Sequence, residues 1–130
     1  MRVFLVRHAE ANPGEPDELR RLTTHGRWQA KDLGKRFARR GIAVDAIVSS
    51  PLVRARETAE GMAAVLGATA QTDERLAPGA TANDLRAAVA DRGETVVVVG
   101  HQPDCGKIAA ALTGGPEPRF PTAGVHELDV

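Results

Sequence analysis

Three short apolar runs, each ending in a polar cluster, constrain the fold of this chain more than any other feature. Val3-Phe-Leu-Val6 leads into Arg7-His8, Ala46-Ile-Val48 into Ser49-Ser50-Pro51, and Thr95-Val-Val-Val-Val99 into Gly100-His101. Continuous β-favouring runs without polar alternation read as strands buried on both faces, as in a parallel sheet covered by helices. Between them the apolar period changes from strand-like to helical. Ala30, Leu33, Phe37 and Ala38 mark a helix over about 26–40, with Thr23 and Thr24 as N-cap candidates and Gly41 as its stop. Ala55, Ala59, Met62, Ala63 and Leu66 mark a second helix over about 52–66, closed by Gly67. Thr81-Ala-Asn-Asp84 resembles a capping box opening a third, to about Asp91, and a fourth is predicted over 104–112. A short extended piece at 70–72 and an edge strand at 125–130 complete the pattern. Strand alternating with helix predicts an α/β three-layer sandwich, a mainly parallel central sheet flanked by helices. With no repeat or linker in view, one domain over residues 1–130 is expected.

Composition bounds the function classes. Lys plus Arg and Asp plus Glu number 17 each, so no overall positive field points to nucleic acid as a partner. The single cysteine, Cys105, excludes an intrachain disulfide and suits a reducing compartment. No apolar run approaches a membrane span and the first residues do not read as a secretory signal, so a cytoplasmic protein is expected. Aromatic residues make up only 3% of the chain, so the core must be built from Ala, Val, Leu and Ile.

The chemistry collects just past three strand ends. In open α/β sheets ligands bind in the crevice outside the carboxyl ends of the strands. That topology can bring Arg7, His8, Arg54 and His101 to one cavity although they are far apart in sequence. Two arginines and two histidines facing one cavity suit an anion. A guanidinium matches two phosphate oxygens at once and stays charged at any working pH. A neutral imidazole is a good nitrogen nucleophile, and attack splits a hard hydrolysis into two easier transfers.

Arg7-His8-Ala9-Glu10, then Leu22-Thr-Thr-His-Gly26 with Gln29-Ala30, resembles the opening of the histidine phosphatase superfamily. Ser49-Ser-Pro-Leu-Val-Arg-Ala-Arg-Glu-Thr-Ala59 resembles the second motif of that family, and Val99-Gly-His-Gln-Pro103 its third. The resemblance covers nearly the whole chain. Its length and its Arg-His-Ala form are most similar to the small phosphohistidine phosphatases of the SixA type. It implies a phosphoglycerate mutase-like fold and His8 as a nucleophile that is transiently phosphorylated. Arg7, Arg54 and His101 would hold the phosphoryl group, with no metal and no organic cofactor. One departure stands out: many relatives carry a proton-donating glutamate two residues after the position of Leu76, and this chain has Pro78 there. An alkoxide leaving group depends on such an acid, whereas the nitrogen of a phosphohistidine leaves readily once protonated. Asp104, Glu10 and Glu74 are the carboxylates that remain as substitutes. The chain also stops soon after Val125, leaving little room for the lid segments of larger relatives.

The expected substrate is therefore a phosphorylated protein such as a histidine phosphocarrier, acted on by a monomeric enzyme. A phosphatase for small phosphate monoesters is the alternative on the same fold. A phosphate-binding regulatory module without turnover is the alternative of another class. Simpler uses are assigned to the other polar residues. Ser49 and Ser50 could lend a hydroxyl to the pocket but are expected to cap a helix beside Pro51, and Arg56 is expected to form a solvated ion pair. His25 is exposed, His126 is an ordinary strand residue, and Cys105 is a buried structural thiol. No two histidines have a metal-ligand spacing.

Overall fold

Each apolar run forms a strand, and their relative register brings three of the strand ends to one level. The computed structural model describes residues 1–130. Its elements are β1 (Arg2–Arg7), α1 (Thr24–Arg39), β2 (Ala46–Ser49), α2 (Val53–Leu66), β3 (Ala70–Thr72), α3 (Ala82–Val89), β4 (Thr95–Gly100), α4 (Asp104–Thr113) and β5 (Val125–Asp129). Single 3-10 turns lie at Asp17–Leu19 and Glu74–Leu76. The strand order is β3-β2-β4-β1-β5. All neighbours are parallel except β5, which runs antiparallel to β1 at the edge.

The Val run is the centre of the sheet, between β1 and β2. Arg7 pairs with Gly100 and Ser49 with Val99. The residues leaving the three strands continue the ladder: His8 N–H donates to the Gly100 carbonyl (2.9 Å) and Ser50 N–H to the Val99 carbonyl (3.0 Å). His8, Ser50 and His101 are thus set side by side by backbone pairing, before any side-chain interaction is considered.

Strand alternation divides the core into two layers. Phe4, Val6, Ile47, Val97 and Val99 pack with Leu33 and Phe37 of α1 and Ala55, Ala59 and Met62 of α2. Val3, Leu5, Val48, Val96 and Val98 pack with Leu85 and Ala88 of α3 and Cys105, Ile108 and Ala109 of α4. Fully burying one such large side chain contributes about 1.5–3 kcal/mol. The shortage of aromatics is met by close helix approach. A Cβ on Gly61 of α2 would lie 2.8 Å from the Ala30 Cβ of α1, and one on Gly34 would lie 3.0 Å from the Val65 Cβ.

The helix signals were legible in detail. Thr23 caps α1 by accepting the Gly26 N–H (2.8 Å), and Thr81 with Asp84 forms the capping box of α3. Gly67 ends α2 in the left-handed region, at φ 69°. Two assignments require correction. The N-cap of α2 is Leu52, with no side-chain cap, so neither Ser49 nor Ser50 caps the helix. Arg56 is exposed on α2 and forms no ion pair; the neighbouring Glu57 pairs with Arg21. No helix is long and apolar enough to cross a membrane.

Candidate active site

The site lies at the carboxyl ends of β1, β2 and β4, and each of its side chains is held from behind. His8 is 8% exposed and His101 4%, with ring centroids 5.4 Å apart. Arg54, one residue into α2, is 7% exposed. Arg7 is half-buried, and its Nη1 donates to the Phe120 carbonyl at 3.1 Å. The sequence-predicted quartet is therefore brought together. Arg54 is the arginine turned to the site and Arg56 the one turned to solvent, as alternate positions on a helix require.

His8 is oriented by one bond. Its Nδ1 lies 2.7 Å from the Ala9 carbonyl oxygen. A carbonyl can only accept, so Nδ1 carries the proton and donates. Nε2 is left with a lone pair. Burial, reinforced by the positive charges of Arg54, Arg7 and Arg20, lowers the His8 pKa to about 4, although its bond to the Ala9 carbonyl acts in the opposite direction. His101 is lowered to about 3 by burial, by Arg54 and by His8. At neutral pH both rings are uncharged, the state in which an imidazole nitrogen is a nucleophile.

The segment that carries His8 is secured from two helices. Ala9 N–H donates to Thr58 Oγ1 (2.9 Å), and that buried hydroxyl donates in turn to the Arg54 carbonyl (2.8 Å). Thr58 therefore ties the strand bearing His8 to the helix bearing Arg54. Glu10 N–H donates to Gln29 Oε1 (2.8 Å) on α1. Gly26 lets the start of α1 lie directly on this segment, since a Cβ there would overlap the Glu10 carbonyl oxygen.

Arg54 has a second set of partners on the loop after β1. Its Nη1 donates to the Asp17 carbonyl (2.9 Å) and its Nη2 to the Asp17 carboxylate (3.1 Å). Arg20 donates to the other Asp17 oxygen (3.1 Å), and its Nε reaches the Asn12 carbonyl (2.7 Å). The loop is closed at its neck by Asn12 N–H donating to the Arg21 carbonyl (2.8 Å). Hydrogen bonds from Arg20, then from Arg54, hold the Asp17 carboxyl below its ordinary range.

Three buried polar atoms have no protein partner: Arg7 Nε, Arg54 Nε and His101 Nδ1. All three belong to the quartet. Buried donors are nearly always satisfied, so three orphans on one cluster are what a site for an oxygen-rich anion would display. No group of three or more His, Cys, Asp or Glu side chains is arranged to hold a metal ion.

The carboxylates expected to substitute for a glutamate at Pro78 are hydrogen-bonded or exposed. Asp104 accepts the Gly79 N–H (2.8 Å), Glu10 accepts from Thr23 Oγ1 (2.8 Å), and Glu74 is exposed on its 3-10 turn. Asp17 and Thr58 were the residues that sequence reasoning passed over, and Ser50 was assigned to helix capping. Thr58 had a signal, since it lies four residues after Arg54 on the same helix face. Asp17 had none, because a loop conformation brings it to Arg54. Cys105 is 1% exposed, and burial together with Asp104 pushes its thiol to about 12, the state of an inert core residue.

An uncharged imidazole set among guanidinium groups, at the carboxyl edge of a parallel sheet, defines the class: an α/β protein with a site suited to an oxygen-rich anion. The chain belongs to the histidine phosphatase superfamily (branch 1), whose family model matches residues 3–78. The structure of the protein histidine phosphatase SixA complexed with tungstate superposes with a TM-score of 0.88 at 26% identity, covering 98% of this chain and 86% of that one. An uncharacterized protein of Picosynechococcus sp. is 37% identical over 123 residues, 88% of this chain and 74% of that protein. The mitochondrial serine/threonine-protein phosphatase Pgam5 of Drosophila mojavensis is 49% identical over 59 residues, 45% of this chain but only 20% of that protein.

Proposed function

We propose that this chain is a protein phosphohistidine phosphatase working through a transient phosphohistidine on His8. The observation that carries the reading is the His8 ring itself, buried, uncharged and presenting Nε2 because Nδ1 is committed to the Ala9 carbonyl. Nε2 attacks phosphorus, the N–P bond to His8 forms, and the bond to the substrate's leaving nitrogen breaks. Water then attacks phosphorus, the His8 N–P bond breaks, and inorganic phosphate departs while the remaining proton passes to solvent. Arg7, Arg54 and His101 hold the phosphoryl oxygens through both transfers, where the fixed positive charge of the two arginines lowers the barrier most. No step requires a metal or an organic cofactor.

The proton inventory supports this substrate class. Pro78 supplies no acid, and Asp17 is kept ionised by two arginines, so neither is a ready proton donor near neutral pH. A substrate phosphohistidine brings its own proton on the far ring nitrogen and leaves as neutral imidazole. The likeness to SixA supports the same choice. The stretch shared with Pgam5 supports a second reading, in which the phosphoryl group comes from an ester. The test is phosphate release from a histidine-phosphorylated carrier protein with chelator present, comparing the natural chain with His8→Ala. Release that persists in chelator and vanishes in the variant is expected. Release only from aryl or alkyl phosphates would move the reading to esters. Phosphate binding without turnover would replace it with a binding module.

A further inference from the structure

Ser50 has no part in the chemistry described so far, yet it is fully buried and lies 2.7 Å from His101. We infer that Ser50 is a positioning residue that fixes His101 as the Nδ1–H tautomer, turning its second ring nitrogen into a permanent donor to the phosphoryl group. The inference rests on the phosphatase reading for its catalytic consequence, but not for the tautomer itself.

The proton inventory around Ser50 decides the direction of the bond. Its Oγ accepts the Leu52 N–H at 3.2 Å and contacts His101 Nε2 at 2.7 Å; it has no other hydrogen-bonding partner. The Ser49 hydroxyl is turned to the Ser50 carbonyl at 3.0 Å and plays no part. If His101 carried its proton on Nε2, the Ser50 oxygen would receive two donors. Its own O–H would then be buried with no acceptor, which costs about 1–3 kcal/mol. With the proton on Nδ1 instead, the serine donates to the Nε2 lone pair and every group near it is satisfied. Nδ1–H is then the unpartnered donor, and Nδ1 is the His101 atom that the protein leaves without a partner.

The consequence is a complementary pair. A carbonyl behind His8 forces a lone pair to the front of that ring; a hydroxyl behind His101 forces an N–H to the front of the other. Two uncharged imidazoles thereby take opposite roles, nucleophile and donor, without either having to gain a proton from solvent. The Leu52 N–H matters because it occupies the serine oxygen and leaves the serine proton for His101.

The test reads the proton directly. Long-range proton–nitrogen spectra of the full chain labelled with nitrogen-15 histidine, assigned through loss of one ring in His101→Gln, are expected to place the His101 proton on Nδ1 at pH 7. A proton on Nε2, or on both nitrogens, would overturn the inference whatever the activity of the protein. Ser50→Ala is expected to shift the population toward Nε2–H and to lower kcat roughly 10- to 100-fold, with KM changed much less, as loss of a transition-state donor requires. Ser50→Thr, which keeps the hydroxyl, is expected to restore both the tautomer and most of the kcat. A Ser50→Ala variant with the natural kcat and an unmoved spectrum would overturn it. Absence of turnover in the natural chain on every phosphorylated substrate would instead defeat the phosphatase reading, leaving the tautomer to be judged by the spectrum.

Discussion

The ends of β1 and β4 each present one histidine to the same cavity, on paired strands and at nearly equal burial, yet the two surroundings are built differently. Behind His8 the fold places a backbone carbonyl, that of the next residue. Behind His101 it places a side-chain hydroxyl from a third strand end. The first arrangement is local, set by the turn leaving β1. The second exists only because β2 lies beside β4 with Ser49 opposite Val99. The contrast teaches that what a ring meets on its hidden side decides whether a lone pair or an N–H is left free to face the cavity.

The sharpest way to break the comparison is to remove each ring in turn. His8→Ala is expected to abolish covalent turnover, a loss of about 10⁴-fold or more, because no other group can form the intermediate. His101→Ala is expected to lose about 10²- to 10³-fold, the usual effect of one missing donor to developing negative charge. Single-turnover phosphate release on both variants checks the ranking, and equal losses would contradict the division of roles.

The tie between the two halves comes next. Thr58 joins the His8 segment to α2 through Ala9 N–H and the Arg54 carbonyl. Thr58→Val keeps the shape but strands the Ala9 N–H, so a stability loss of about 1–3 kcal/mol is expected. Denaturant unfolding measures it, and kcat should fall with it as His8 and Arg54 lose their fixed separation.

Both rings also make stability depend on pH in the same direction. Their folded-state pKa values, about 4 and about 3, lie below the ordinary histidine value of 6.5. Between those limits the unfolded chain binds protons that the folded one refuses, so stability rises with pH across this window. It is therefore expected to fall as pH drops from about 6.5 and to level off for these two groups below about 3. Replacing His101 by Gln should flatten that part of the curve, which thermal unfolding at a series of pH values would show.

The smallest effect expected is at Asp17. Its carboxylate is exposed and shares Arg54 with whatever anion enters the site. Asp17→Asn should tighten inhibition by inorganic phosphate about two- to fivefold, the scale of a surface ion pair. Unchanged or weaker inhibition would mean that Asp17 orients Arg54 rather than competing for it.

The strand runs, the helix caps at Thr23 and Thr81 and the glycine stop at Gly67 were legible in the sequence because each depends on residues within a few positions of one another. The quartet was legible too: every member lies within a few residues of a strand end, and parallel α/β topology gathers strand ends. By itself, then, the sequence determined the layered sheet, the grouping of Arg7, His8, Arg54 and His101, and the choice of Arg54 over Arg56. Only the tertiary structure decided that Ser50 meets His101, that Thr58 bridges two elements, and that Asp17 reaches Arg54 from across a loop. Those contacts join residues 37 to 51 positions apart. Their bond directions depend on which donors and acceptors remain unpaired after the backbone has folded, and no local pattern encodes that.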